Sequence, residues 1–174
     1  MSRHVAFLRG INLGKRQIKM AELKACLEAM GLDKVKTLLA SGNVIFETDN
    51  SKDLKARLDK AISAAFDFDV KVVLRSDDEI EAMIASDPFK TTAADADVKL
   101  YVVLLDEAPG KPLHLVGVEG DWSVVRIDPR DIYVVAHKLP NGRYGEGLDK
   151  LAKQMDKGVL MTMRNWNTIL KARK

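Results

Sequence analysis

The sequence is poor in the residues that usually mark metal, redox or disulfide chemistry. One cysteine and three histidines occur among 174 residues, and aromatic side chains make up 6% of the chain. A single cysteine cannot form an internal disulfide, which fits a reducing compartment. His4, His114 and His137 are scattered, without the spacing of a zinc site. The sequence therefore predicts neither a bound metal nor a cofactor.

Long apolar runs are also missing. The segment from Leu100 to Leu105 is among the longest, far shorter than a membrane span. The N-terminal residues lack the apolar stretch and cleavage site of a secretory signal. We therefore expect a cytoplasmic protein without a membrane partner. Its length suits one domain, or two small halves that share a core.

The charge of the chain is unevenly distributed, although its net value is only +3. Residues 1–24 carry six cations and one carboxylate, residues 138–174 carry nine cations and three carboxylates, and the middle is acidic. If the two basic ends meet in space, they form a face that attracts an anion. A solvated basic surface explains the same pattern without a ligand, and the sequence leaves both interpretations open.

The first half of the sequence has the pattern of a split β-α-β unit. Apolar periodicity and turn residues predict a strand over 4–9, a helix over 20–30 ended by Gly31, a hairpin of strands 35–39 and 44–47, a helix capped by Asn50 or Ser51, and a strand over 70–74. This β-α-β-β-α-β order is typical of the ferredoxin-like fold, an antiparallel sheet with both helices on one face.

The second half has a similar but incomplete pattern. A capping box at Ser76-Asp77-Asp78-Glu79 opens a short linking helix. Strands are predicted over 98–105, 122–127 and 132–136, followed by a helix over 148–155 and a last helix that starts between Thr162 and Asn165. We therefore predict an α+β fold. Its parts are a ferredoxin-like half at 1–75, a linking helix and linker at 76–97, and a smaller α+β half with an antiparallel sheet at 98–174, together one compact domain.

Two polar segments stand near the ends of the chain: Phe7-Leu8-Arg9-Gly10-Ile11-Asn12-Leu13-Gly14 and Thr162-Met163-Arg164-Asn165-Trp166-Asn167-Thr168. Guanidinium and amide groups form directional hydrogen bonds that hold a ligand or lock a loop. The candidate ligand-binding residues are Arg9, Asn12, Lys15, Ser41, Asn43, Arg164, Asn165 and Asn167. Because both segments are basic, we expect them to lie close together, with Arg9 or Arg164 bonded into the other segment or facing a shared cleft.

Better-defined chemistries do not fit these segments. Gly10 and Gly14 are separated by three residues and the hydroxyl that binds magnesium is missing, so there is no Walker phosphate loop. Backbone N–H groups and Lys15 near a helix N-terminus would suit a simpler phosphate contact, and a purely structural role of the two glycines in the turn is the alternative. The strand around Phe46 lacks the stacking aromatics of an RNA-recognition motif, so specific nucleic-acid binding is not expected. No general base and no Ser-His-Asp or Cys-His arrangement can be identified.

The chain resembles the bacterial domain-of-unknown-function 1697 family. The resemblance rests on residues 6–14, Met20-Ala21-Glu22-Leu23, Ser41-Gly42-Asn43-Val44-Ile45-Phe46 and residues 164–168. The resemblance implies an α+β fold of ferredoxin-like halves. It implies no activity, because none is established for the family. Two departures from the family stand out. Gly145-Glu146-Gly147-Leu148 replaces a loop that usually ends in Ser-Lys, and the stretch from Pro112 to Asp121 is short where other members have a helix.

Three classes of function follow from these observations. The leading one is a non-enzymatic binding module for a small anionic or nucleotide-like ligand. The second is an enzyme that acts by positioning and charge, without a metal or covalent nucleophile. The third is a protein-interaction or oligomerising domain in which the polar residues only lock loops. A deep pocket lined by the candidate residues favours the first two classes, and a flat apolar patch favours the third.

Cys26 generates the first testable prediction. It lies at helical spacing with Leu23, Leu27 and Met30, so its thiol is expected to face the core and to be inert. The folded protein should react slowly with a thiol reagent and label fully once it is denatured. Rapid labelling of the native protein, followed by absorbance or mass, would show that this face of the helix is exposed.

Overall fold

Eight strands and five helices follow one another in the part of the chain that the computed structural model describes, residues 1–38, 41–93 and 96–174. The chain divides into two compact units. Unit 1 contains Met1–Ala82 and Leu170–Lys174, and unit 2 contains Met83–Ile169. The helices and the two antiparallel sheets confirm the predicted α+β fold class. No described helix is long and apolar enough to span a membrane.

Unit 1 has the predicted ferredoxin-like order. Its elements are β1 (Ser2–Arg9), α1 (Met20–Ala29), β2 (Asp33–Leu38), β3 (Asn43–Thr48), α2 (Leu54–Phe66) and β4 (Lys71–Ser76). The strands lie in the order β2-β3-β1-β4, and every neighbouring pair is antiparallel. The central strand β1 therefore pairs with both β3 and β4, and its carboxyl end leads directly into α1.

The core of unit 1 is formed where α1 and α2 cover the sheet. Alternate residues of β1 and β3 pack against apolar residues of both helices, and the buried members include Ala6, Leu8, Val44, Phe46, Leu23, Leu27, Leu58 and Ile62. Gly31 ends α1 as predicted: at a φ of 84° its N–H donates to Glu28, while the N–H of Leu32 donates to Leu27. Cys26 is partly buried against this core, and burial raises the pKa of its thiol.

Helix α2 begins later than the sequence indicated. The predicted cap at Asn50 or Ser51 is wrong, because the helix starts at Leu54 and Asp53 occupies the N-cap position with a φ of 51°. The Asn50 side chain instead accepts a hydrogen bond from the N–H of Lys52, at 3.1 Å. A side chain that bonds two residues ahead forms a turn that competes with the helix start, which explains the shift.

Unit 2 repeats the strand order of unit 1 with one helix missing. Its elements are β5 (Val98–Leu105), β6 (Trp122–Ile127), β7 (Asp131–His137), α4 (Asp149–Lys153) and β8 (Met161–Asn165), flanked by α3 (Asp77–Ala85) and α5 (Trp166–Ala172). The order β6-β7-β5-β8 matches β2-β3-β1-β4, so β5 takes the place of β1. The unit boundaries fall inside α3 and α5.

The end of unit 2 corrects one prediction. The last helix does not start between Thr162 and Asn165, because Met161–Asn165 forms β8 and pairs with β5. Thr162 and Arg164 are buried while Met163 is 40% exposed, which is the alternation of a strand. Helix α5 follows at Trp166, and the Asn165 side chain caps it by accepting a hydrogen bond from the N–H of Asn167 at 2.9 Å.

An irregular segment, residues 106–121, occupies the position of the missing helix. Its side chains Leu113, Leu115 and Val118 pack against the core of unit 2. Gln154 holds its backbone: the side-chain oxygen accepts from the N–H of Val116 at 2.8 Å, and the side-chain nitrogen donates to the Val116 carbonyl at 2.9 Å. The side chain thus supplies the two hydrogen bonds that a neighbouring strand would provide.

The glycine-rich loop of unit 2 is held by two residues at the start of β6. The N–H of Gly147 donates to Asp121 Oδ2 at 2.8 Å, and Trp122 Nε1 donates to the Gly147 carbonyl at 3.0 Å. A Cβ atom added at Gly147 would lie 2.5 Å from Asp121 Oδ2. A side chain at position 147 would therefore displace the Asp121 carboxylate, at the point where the chain departs from the usual Ser-Lys ending of the family loop.

Gly147 and Gly110 form a matched pair for testing this close approach. Gly147→Ala forces the new methyl group against Asp121, and we expect the free energy of unfolding to fall by about 1–3 kcal/mol. At Gly110 an added Cβ meets nothing within 4 Å, so Gly110→Ala should leave stability unchanged or slightly raised. Urea unfolding measures both variants, and equal stabilities would contradict the proposed clamp.

Candidate functional site

The β1–α1 loop, residues 10–18, is anchored at both ends by buried isoleucines. Ile11 and Ile18 belong to the core of unit 1. Between them Asn12 fixes the path of the chain: its side-chain oxygen accepts from the N–H of Ile18 at 3.1 Å, and its own N–H donates to the carbonyl of Arg16 at 2.5 Å. Its φ of 56° is a left-handed conformation that asparagine tolerates better than most residues. Asn12 is thus a structural lock of this loop.

The tip of the β1–α1 loop, Leu13 to Arg16, presents donors and positive charge to solvent. The N–H of Arg16 donates to the Leu13 carbonyl at 3.0 Å and closes the turn. Lys15 and Arg16 are exposed, and neither forms an ion pair within the described chain. The backbone N–H groups of Gly14 and Lys15 also make no hydrogen bond to any described residue. The tip is therefore a hydrogen-bonded turn whose Gly14 and Lys15 N–H groups have no partner among the described residues.

Two cations lie side by side where β1 ends and β4 begins. Arg9 is directly opposite Lys71 in the antiparallel register, so both side chains project from the same face. Lys71 Nζ lies 3.4 Å from Asp69 Oδ1, whereas exposed Arg9 forms no ion pair with a described residue. Like charges that face each other across a ladder are destabilising, which favours an anion between them.

Ser41 and Asn43 lie where β3 begins, and Asn43 ties this point to the end of β2. Asn43 is fully buried, and its side-chain nitrogen donates to the Leu38 carbonyl at 2.9 Å and to Ser41 Oγ at 2.8 Å. Gly42 packs so closely that a Cβ would lie 2.4 Å from Ile11 Cδ1. These two candidates hold a turn against the start of the β1–α1 loop.

The second polar segment lies in unit 2. Arg164 is buried on β8, and one guanidinium nitrogen donates to Thr162 Oγ1 at 2.5 Å and to the Met163 carbonyl at 3.0 Å. Burial lowers the pKa of Arg164 to about 10, so the group stays cationic at neutral pH. Asn165 caps α5 and Asn167 is exposed. The predicted proximity of Arg9 and Arg164 concerns two separate units and stays a prediction.

Sequence reasoning missed Arg16 and Lys71 as members of the basic end of unit 1. The ferredoxin-like order places β4 beside β1, so the position of Lys71 could have been inferred once that topology was accepted. A separate cleft of about 520 Å³ lies in unit 2, lined by residues 108–113 and 127–129, and contains none of the predicted site residues. Among the described residues, no group of three or more His, Cys, Asp or Glu side chains is arranged to hold a metal.

The role of Asn43 can be separated from ligand binding by measuring stability. Asn43→Ala removes the buried amide that donates to the Leu38 carbonyl, and we expect the free energy of unfolding to fall by about 1–3 kcal/mol. Ser41→Ala removes a hydroxyl acceptor at an exposed position and should cost less than about 1 kcal/mol. Chemical denaturation distinguishes the two. An Asn43→Ala variant as stable as the wild type would contradict the locking role.

Comparisons with known proteins agree with this architecture. A solved structure, described as that of conserved bacterial protein SP0830 from Streptococcus pneumoniae, is similar with a TM-score of 0.69 and 22% identity, over 98% of this chain and 96% of that one. At this identity the likeness shows the fold alone. No curated protein matches the chain. The family described as "Protein of unknown function (DUF1697)" matches residues 1–133, which is most of the sequence. The chain therefore belongs to the DUF1697 family.

Proposed function

We propose that this protein is a non-enzymatic binding module for a small anionic ligand, and that the anion binds at the β1–α1 loop of unit 1. The single observation that carries the proposal is the tip of that loop. Its backbone is held by Asn12, and it presents Lys15 and Arg16 without ion pairs to the rest of the described chain.

The tip offers the chemistry that phosphate and similar oxyanions need. The unused N–H groups of Gly14 and Lys15 can donate to two oxygens, and the Lys15 ammonium supplies charge from the same turn. Charge-assisted hydrogen bonds of this kind are about twice as strong as neutral ones. Because Asn12 and the buried isoleucines already fix the backbone, little ordering of the loop would accompany binding.

Arg9 and Lys71 support the same proposal from the neighbouring strand ends. An anion between them would relieve the repulsion of two like charges in register. Asp69 is an internal competitor, since its carboxylate already contacts Lys71 at 3.4 Å. Both groups of this ion pair are largely exposed, so the pair contributes little to folding and can exchange for a ligand. A nucleotide-like ligand would use these contacts for its phosphates.

Removal of the tip cations should weaken anion binding. We expect Lys15→Ala and Arg16→Ala each to lower the affinity for pyrophosphate about fivefold, measured by isothermal titration calorimetry at low salt. Lys60→Ala is the matched control, because it removes one exposed lysine of α2 that is remote in sequence from the loop. Equal losses in all three variants would mean that net charge alone attracts the anion. Absence of binding by the wild-type protein would contradict the proposed function.

Asp69→Asn provides a gain-of-binding variant. Loss of the carboxylate frees Lys71 for the ligand, so the affinity for pyrophosphate should rise about two- to fivefold. The double variant Asp69→Asn with Lys71→Ala should lose this gain. If the single variant binds no more tightly than the wild type, or if the gain survives the second substitution, Lys71 does not contact the anion.

A further inference from the structure

The tip of the β1–α1 loop carries an apolar side chain as well as cations. Leu13 is 67% exposed and stands two residues before Lys15. A single exposed leucine needs no explanation by itself. Here, however, the leucine sits on a turn that is closed by the Leu13–Arg16 bridge and held by Asn12, beside two exposed cations.

We infer that this tip docks onto an anionic phospholipid surface, with Leu13 entering the boundary between headgroups and acyl chains while Lys15 and Arg16 contact lipid phosphates. The inference rests on the proposed function, because it names the carrier of the anion. A small ligand would contact the cations and leave Leu13 in water. A lipid surface satisfies both features, since phosphates and apolar chains lie within one side-chain length of each other.

Charge complementarity supports the lipid surface. A lysine or arginine near an anionic membrane strengthens binding by roughly fivefold, the equivalent of about 1 kcal/mol. Lys15 and Arg16 form no ion pairs within the described residues, so their charges are available to the headgroups. Each buried CH₂ group of an inserted side chain adds a similar increment. Together one leucine and the two tip cations give reversible peripheral attachment.

Asp67 and Asp69 limit how the loop can approach. Both carboxylates are exposed near the start of β4, and the backbone carbonyl of Asp69 lies 3.5 Å from the position a Cβ would take at Gly10. Anionic headgroups repel these side chains, and Asp69 is partly neutralised by Lys71. We therefore expect the tip, Leu13 to Arg16, to make the first contact while the base of the loop stays farther from the lipid.

The expectation of no membrane partner came from the missing apolar run. A missing apolar run argues only against a segment that crosses the bilayer, and no described helix is long and apolar enough to cross it. Surface attachment requires far less apolar area, because electrostatic attraction supplies part of the binding. The inferred contact is therefore peripheral.

Vesicle binding by the full chain tests the inference. Co-sedimentation should show binding to phosphatidylcholine vesicles that contain phosphatidylglycerol, and little binding to phosphatidylcholine alone. Leu13→Ala should lower the partition coefficient at least about tenfold, up to about fiftyfold if the whole side chain is inserted, and Lys15→Ala about fivefold. Lys60→Ala should have a smaller effect than Lys15→Ala. Circular dichroism of each variant shows whether the fold is kept.

Leu13→Trp reports directly on insertion. The native Trp122 and Trp166 are 1% and 9% exposed, so a new tryptophan at the tip would account for any lipid-dependent change in emission. Its emission should shift to the blue on anionic vesicles and be quenched by lipids with brominated chains. An unshifted spectrum with vesicle binding intact would overturn the insertion of the tip.

Titration with pyrophosphate in the absence of vesicles separates the two proposals. Binding of pyrophosphate without binding of anionic vesicles would overturn the lipid inference and leave the proposed function standing, with a soluble anion or an acidic protein as the ligand. Loop-dependent vesicle binding without pyrophosphate binding would support the lipid surface and overturn the small-ligand function. Failure of both measurements would overturn both proposals.

Discussion

The register of β1 is the constraint on which unit 1 depends. β1 pairs with β3 on one side and β4 on the other, and Val5, Ala6, Phe7 and Leu8 are all buried. A slip of one residue would exchange the two faces of the strand and bring Arg9 to the face that packs against the helices. The correct register places Arg9 at the end of the strand, opposite Lys71, and starts the β1–α1 loop at its observed position. Core packing thereby positions the basic end of the unit.

The two units show how one topology tolerates different connections. Both sheets have the same strand order, but α1 of unit 1 has no counterpart between β5 and β6. The segment that replaces it cannot satisfy its own backbone as a helix does, so Gln154 supplies hydrogen bonds to Val116. In the glycine-rich loop the N–H of Gly147 is likewise satisfied by a side chain, the Asp121 carboxylate. In unit 2, individual side chains therefore supply backbone hydrogen bonds that a regular element would otherwise provide.

In the β1–α1 region, the residues that hold the backbone differ from those that present positive charge to solvent. Asn12 and Asn43 point polar groups at backbone atoms and define the shape of two adjoining turns. The side chains of Lys15 and Arg16 are exposed and form no ion pair within the described residues, so they do not hold that shape. This division means that charge can be removed from the surface while the fold is kept. It also makes the anion site testable without the loss of stability that complicates most binding-site variants.

The sequence alone determined the fold class and most of unit 1. Period-2 and period-3.6 patterns identify strands and helices that bury one face, and Gly31 marks the end of α1 because few other residues accept a positive φ. Strand β8 was not predicted, because its five residues bury Thr162 and Arg164 and so lack the apolar alternation of a strand. Pairing with β5 decides that they are extended.

The candidate site was only partly determined by sequence. The sequence identified Arg9, Asn12, Lys15 and Asn43 as unusual. It does not show, however, whether the side-chain amide of an asparagine binds a ligand or a backbone group of the protein. The tertiary structure assigned Asn12 and Asn43 to turns because their partners, Ile18 and Leu38, approach through folding. It also showed that Lys71 lies beside Arg9, although the two residues are far apart in the sequence. Their pairing depends on the hydrogen bonds between β1 and β4, which local sequence preferences do not specify.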